Sequence, residues 1–273
     1  MTDPGRMLRA RGMRPKKALG QHFLRDRSVL ARIVALLDPG PSDRVVEIGA
    51  GMGALTLALL DAGVEVLAIE RDAALCDVLR EQTAGRRVTV LQGDARKVDL
   101  LAIAGRRGPV LVAGNIPYQI SSDLLLRLVD QRASFRAAVL MVQAEFATRV
   151  AAAPGGKDYG SLSVRCQQYL DVKRAFRVAP GCFHPPPRVD STVMRLVPRA
   201  APLAPVADED ELERLVRAAF SKRRKTLRNT LRGRVGLDQA LARAAIDGTR
   251  RPETLSVAEF ARLCDELCRS FPK

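Results

Sequence analysis

Four consecutive residues, Asn115-Ile116-Pro117-Tyr118, stand where a short apolar run (110–113) gives way to a loop. Their types suit one task, holding the exocyclic amine of a nucleobase. Such an amine is a poor nucleophile because its lone pair is delocalised into the ring, and two acceptors aimed at its hydrogens can draw that pair out. The Asn115 side-chain oxygen supplies one acceptor. The Ile116 carbonyl supplies the other, because Pro117 biases the residue before it toward extended geometry and so fixes where that carbonyl points. Tyr118 adds a flat face on which a base can stack. The same four residues also fit a plain turn after a strand. Their meaning depends on what surrounds them.

A second constellation lies upstream. Val45-Val46-Glu47-Ile48-Gly49-Ala50-Gly51-Met52-Gly53 follows a predicted strand and opens a predicted helix, where glycines let the backbone approach a ligand closely. Two cofactor classes fit it. Gly49, Gly51 and Ala54, with Glu70 about 20 residues on, match a dinucleotide fingerprint. Glu47 speaks for the other class: an acid here repels a pyrophosphate and attracts the sulfonium and ammonium of S-adenosylmethionine. Glu70 can accept ribose hydroxyls, and Asp94, followed by Ala95, can accept from an adenine amine. Either carboxylate alone also fits a helix N-cap or turn. Their position carries more weight, because Gly49, Glu70, Asp94 and Asn115 fall at the carboxyl ends of successive predicted strands, the edge where open α/β sheets bind ligands.

The elements that must position these residues are legible as alternating patterns. Short β-branched runs at 44–48, 65–69, 88–92, 110–113 and 138–142 predict strands, and helical spacing at 54–62, 73–81 and 121–129 predicts the crossovers between them. The fold class expected is α/β, a Rossmann-like parallel sheet of the S-adenosylmethionine-dependent methyltransferase kind, with a small all-α C-terminal domain. Runs at 172–178 and 191–197 could add antiparallel strands at one edge. The stretch 198–207, rich in Pro and Ala, is the expected boundary. Beyond it Asp208 with Glu211, and Ser256 with Glu259, fit helix N-caps with an acid three residues on. The expected domains are a basic N-terminal arm (1–27), a methyltransferase domain (28–200) and a helical RNA-binding domain (208–273).

Composition narrows the partner. Across 273 residues, 45 Lys and Arg against 30 Asp and Glu leave a net charge of +15, which implies a polyanion more readily than a small anionic metabolite. The charge clusters at the two ends. Arg6, Arg9, Arg11, Arg14, Lys16 and Lys17 form one group, and Arg223, Arg224, Lys225, Arg228, Arg232 and Arg234 the other. Five cysteines at irregular spacing and two histidines assemble no zinc pattern, so no metal is expected and the thiols are expected to be reduced. Cys264 and Cys268 read as packing residues. No apolar run approaches a membrane span, and the N-terminus lacks the apolar stretch of a signal peptide. A cytoplasmic protein without membrane contacts is expected.

Taken together, Leu19 to Leu24, Glu47 to Gly53, Glu70, Asp94-Ala95, Asn115 to Tyr118, Tyr159 to Val164, Phe183 to Ser191 and Phe220 to Asn229 resemble the ribosomal RNA adenine dimethyltransferases over most of the chain. The length of the C-terminal domain and the Arg223-Arg224-Lys225 run point to the small-subunit branch over the macrolide-resistance branch, which shares the catalytic motifs. The resemblance implies N6-dimethylation of two adjacent adenosines in a hairpin loop near the 3′ end of small-subunit (16S) ribosomal RNA. It also implies S-adenosylmethionine as cofactor, an immature 30S subunit as partner and action as a monomer. On that reading His22 and Leu24 close over the cofactor, and Glu47, Gly49 and Gly51 line its methionine end. Glu70 takes the ribose, Asp94 and Ala95 the adenine, and Asn115 touches both cofactor and target. Phe183, ahead of three prolines, would form with Tyr118 the two walls of a stack around the flipped base. Arg223, Arg224, Lys225 and Arg228 would grip RNA phosphates. Two positions depart from the family pattern: His22 and Gln119 each stand where Asn is common. A dehydrogenase, or an assembly factor that binds subunits and barely methylates, are the competing readings.

Overall fold

The computed structural model describes residues 4–104, 108–222 and 224–270. In chain order its strands are β1 Phe23–Leu24, β2 Arg44–Ile48, β3 Glu65–Glu70, β4 Val88–Gln92, β5 Val110–Asn115, β6 Phe135–Gln143, β7 Leu170–Val178, β8 Phe183–His184 and β9 Ser191–Pro198. The α-helices are α1 Pro4–Ala10, α2 Arg27–Leu37, α3 Ala54–Asp61, α4 Ala73–Gln82, α5 Leu100–Ala104, α6 Ser121–Asp130, α7 Ala144–Val150, α8 Ser161–Tyr169, α9 Glu209–Ala219, α10 Leu227–Thr230, α11 Leu237–Arg243 and α12 Val257–Ser270.

Seven strands form one sheet in the order β4-β3-β2-β5-β6-β9-β7, with β4 through β6 parallel and β9 antiparallel to β6. The expected α/β sheet is therefore present, with added strands at one edge. Its central strands carry near-continuous apolar runs because both faces are covered. Val45, Leu111, Ala113, Val139 and Met141 are each 1% exposed or less, in a core that α2 and α3 complete through Ile33, Leu37 and Leu59. Burial of each such aliphatic side chain contributes roughly 1.5–3 kcal/mol. The chain leaves β2 toward β3 and β4 on one side, then returns to β5 on the other. The turn after β2 and the end of β5 thus meet at the point where strand order reverses.

Two compact units divide the chain differently from the boundary expected near residue 200. The first joins residues up to Ala147 with Lys173–Pro198; the second joins Thr148–Val172 with residues from Arg199 onward. The cause lies in the second core, where Tyr159 and Val164 pack with Leu212, Leu215, Phe260 and Leu263, so α8 is part of the helical unit. Asp208 caps α9 by accepting the Glu211 N–H at 2.9 Å, and Ser256 with Glu259 forms a reciprocal capping box. Cys264 is fully buried in this core, and burial raises its thiol well above the usual range while Cys166 is pushed up to about 12.

The N-terminal segment is not a free arm. Leu8 of α1 is buried with Phe23, Met52 and Leu75. Lys16 Nζ pairs with Asp72 at 2.9 Å, Gln21 donates to the same carboxylate at 3.0 Å, and Arg11 pairs with Glu81 at 2.8 Å. Two cations of the N-terminal basic cluster therefore already have carboxylate partners.

Candidate active site

Three glycines with positive φ shape the turn after β2: Gly49 (71°), Gly51 (57°) and Gly53 (81°). A side chain on Gly49 would meet the Asn115 carbonyl at 3.3 Å, and one on Gly51 would meet the Phe23 ring at 3.2 Å. The turn is held from the neighbouring strand. Gly49 and Ala50 donate their N–H groups to the Ile69 carbonyl at 2.9 and 3.2 Å, and Gly51 donates to Glu70 Oε2 at 2.8 Å. The other Glu70 oxygen accepts the Asp72 N–H at 2.8 Å. Each oxygen can accept a further hydrogen bond, and Glu70 lines the cavity beside the turn.

Glu47 is 1% exposed and also lines that cavity. Its side-chain partner is the Thr56 hydroxyl at 2.5 Å, at the start of α3. Burial pushes its carboxyl up to about 8, and the neighbouring Glu70 charge adds to this against the Thr56 hydrogen bonds. No cation is paired with it among the described residues. A bound cation would favour the ionised form of this carboxyl, whereas a pyrophosphate would not.

Asn115 closes β5 at the same edge. Its Nδ2 donates to the His22 carbonyl at 2.8 Å. A carbonyl can only accept, so this bond fixes the amide orientation and leaves Oδ1 as an acceptor at the cavity wall. Ile116 is 1% exposed and extends the β5–β6 ladder by donating to the Met141 carbonyl at 2.9 Å. Pro117 has φ −56° and ψ 133°, and Tyr118 begins a short 3-10 turn, half-buried. The approach of β5 to β2 requires Gly114, where a Cβ would lie 2.4 Å from the Ile48 carbonyl oxygen. Gly114→Ala should therefore cost about 1–3 kcal/mol of stability and shift Asn115. Urea unfolding checks it, and a variant as stable as wild type would contradict the close approach.

Other expected site residues are placed less simply. Leu24 is buried, lines the cavity and pairs with Phe183 across β1 and β8. Ala95 lies in the cavity wall beside Asp94, but the Asp94 carboxylate is gripped by the Arg96 guanidinium at 2.6 Å and held down to about 2 by that contact. Sequence reasoning missed Arg96, although a cation two residues beyond a capping Asp was a visible signal.

Phe183 is 2% exposed, within the core of the first unit. The ring that stands against Tyr118 is His22, with centroids 6.1 Å apart and planes 24° from parallel. His22 Nδ1 is also 2.8 Å from the Pro185 carbonyl. In the second unit Arg224, Lys225 and Arg228 are exposed, with Arg228 Nε 3.0 Å from Asp238. Arg223 lies outside the described residues. Arg228, Arg232 and Arg234 line a shallow surface pocket, where Arg234 is paired with Glu211. Among the described residues no three His, Cys, Asp or Glu are grouped to hold a metal, and no helix is long and apolar enough to cross a membrane.

The family model for ribosomal RNA adenine dimethylase matches residues 12–268. The chain belongs to that family. Ribosomal RNA small subunit methyltransferase A of Geobacter sulfurreducens is 48% identical over 269 residues, covering 95% of this chain and 98% of the relative. The protein of that name from Pseudomonas fluorescens is 44% identical, covering 93% and 94%. Among solved structures, a dimethyladenosine transferase from Plasmodium falciparum superposes with a TM-score of 0.73 at 28% identity, covering 89% of this chain and 96% of that one. A 23S rRNA methyltransferase, ErmE, superposes with a TM-score of 0.68 at 29% identity, covering 90% and 99%. In this family the cofactor is S-adenosylmethionine, and the cavity beside the glycine turn carries the carboxyl groups of Glu47, Glu70 and Asp94.

Proposed function

We propose that this protein uses S-adenosylmethionine to dimethylate N6 of two adjacent adenosines in a hairpin loop near the 3′ end of small-subunit ribosomal RNA, acting as a cytoplasmic monomer on immature subunits. The observation that carries this reading is the Asn115 amide, whose Nδ2 donates to the His22 carbonyl, on a residue that lines the cavity and whose main chain passes beside Gly49. Similarity to small-subunit enzymes at 44–48% identity favours that RNA over the large-subunit target named for ErmE.

Glu47, Gly49, Gly51 and Glu70 would hold the cofactor, with Asp94 and Ala95 at its base. When bound, the cofactor supplies an electrophilic methyl group on a sulfonium. The chain's part is to prepare the nucleophile. Asn115 Oδ1 and the Ile116 carbonyl accept the two N6 hydrogens and draw the amine lone pair out of the ring toward the methyl. Tyr118 stacks on the base, a contact worth about 1–3 kcal/mol that offsets part of the cost of unstacking it from the RNA. The alkylated amine is acidic enough to lose its proton to water, so rate comes from positioning and preorganised dipoles.

Incubating under-methylated small subunits with protein and cofactor, followed by mass spectrometry of adenines near the 3′ end, tests the reading. Two dimethylated adenosines are expected, and unmodified adenines would refute it. RNA grip is expected from Arg224, Lys225 and Arg228, aided by Arg223. Removing one cation that neutralises a phosphate lowers the slope of log affinity against log salt by about 0.7–0.9. The R224A/K225A/R228A variant should therefore show a slope shallower by about 2–3 in binding titrations across salt, and an unchanged slope would remove these residues from the interface.

A further inference from the structure

We infer that the first unit carries a phosphate-binding face of its own, formed by the exposed side of α2 and by edge strand β7, with Arg32 seated on the Phe176 ring as its central contact. It would take the ribose-phosphate backbone of RNA flanking the target adenosines, so it rests on the reading of small-subunit RNA as substrate. Neither basic cluster visible in the sequence contains these residues.

Position is the first observation. Strand β7 closes one edge of the seven-stranded sheet, and its side chains alternate between two faces. Lys173, Ala175 and Arg177 share one face and are exposed; on the other, Arg174 is exposed, Phe176 packs half-buried against the core and Val178 is buried. Helix α2 lies on that second side, where Arg32 Cζ stands 3.6 Å from the Phe176 ring centroid. Arg27, also exposed, begins the same helix. The face starts close to the cavity, because Leu24 lines the cavity and Arg25, the next residue, donates to the Gly181 carbonyl at 3.1 Å just ahead of β8. From Arg27 to Arg32 it extends about 7.5 Å along the helix axis.

Charge is the second observation. Arg27 and Arg32 have no carboxylate partner among the described residues. The acid at the start of α2, Asp26, is engaged as its N-cap, accepting the Ser28 and Val29 N–H groups at 2.9 and 3.1 Å. The ring contact prepares Arg32 for an anion from outside: Phe176 meets the guanidinium through its face and takes none of its in-plane N–H donors, so the fork is held in place with its donors left to grip a phosphate in two parallel bonds. The β7 cations alone would be explained by the need to keep a sheet edge from pairing with another chain. That need does not extend to Arg32, which stands on a helix. RNA is favoured over an acidic protein because the family acts on ribosomal RNA.

Filter binding of under-methylated small subunits across a range of salt tests the face, for wild type, R27A/R32A, R32K and F176L. Calorimetric binding of S-adenosylhomocysteine checks that each variant keeps its cavity. Each lost phosphate contact lowers the slope of log affinity against log salt by about 0.7–0.9, so R27A/R32A is expected to be shallower by about 1.4–1.8, with S-adenosylhomocysteine affinity within about twofold of wild type. R32K and F176L keep both charges and should hold the wild-type slope, but bind subunits about 2- to 5-fold more weakly because the fork or its platform is gone. An unchanged slope in R27A/R32A would overturn the inference, and so would wild-type affinity in R32K. If F176L loses its fold, R32K, altered at an exposed position, decides the part played by the ring. Wild-type protein that methylates no subunit adenine would instead sink the reading of the substrate.

Discussion

Asn115→Ala is expected to lower turnover on small subunits by on the order of 10²- to 10³-fold while leaving RNA affinity within about twofold of wild type. The magnitude follows from the part a preorganised polar group plays when it acts on the reacting atoms and not on the rest of the substrate. The Asn115 amide is oriented by the Nδ2 bond to the His22 carbonyl, on a residue that lines the cavity and whose main chain passes beside Gly49. Alanine removes the acceptor without disturbing the β5–β6 ladder, because Ile116 still donates to Met141. Asn115→Asp is a sharper probe. An Asp carboxylate would retain an acceptor but lose the donor that ties residue 115 to His22, so intermediate activity is expected. Single-turnover methylation with filter binding measures both quantities, and wild-type turnover in the alanine variant would end the assignment.

The second large effect concerns Glu47 and pH. In the unfolded chain its carboxyl ionises near 4.5, whereas in the folded protein burial keeps it protonated up to about 8. The folded state therefore binds the proton more tightly. The advantage of the neutral form is fully present below about pH 4.5 and is lost as pH rises through about 8, where the folded protein must carry a desolvated charge. Glu47→Gln keeps a partner for the Thr56 hydroxyl and never ionises. It should match wild type near pH 4.5 and exceed it by roughly 2–5 kcal/mol at pH 9. Denaturant unfolding across this range measures the difference; a constant gap between the two proteins would show that Glu47 is ionised throughout.

The parallel strands were legible because strands covered on both faces are written in unbroken Val, Leu, Met and Ala, as in 110–113 and 138–142. The glycine turn, Glu70, Asp94 and Asn115 followed from being at the ends of those strands. What escaped was decided by distant contacts. Helix α1 is short and rich in Arg, without an acid in its first turn, and its place depends on Phe23, Met52 and Leu75. Residues 148–172 join the helical unit because Tyr159 and Val164 find their packing partners in α9 and α12. The burial of Phe183 depends on pairing with β1 and on the core around it. Spacing along the chain encodes none of these.

The glycine turn and Asn115 hang from β2 and β5, which are direct neighbours with Ile48 opposite Gly114. If the turn holds the methyl source and Asn115 its acceptor, as proposed, the gap between them is gauged by the spacing of adjacent strands, about 4.8 Å, and not by any flexible connection. Loops around this centre can lengthen, shorten or change sequence to suit a new RNA without altering the reach of the transfer.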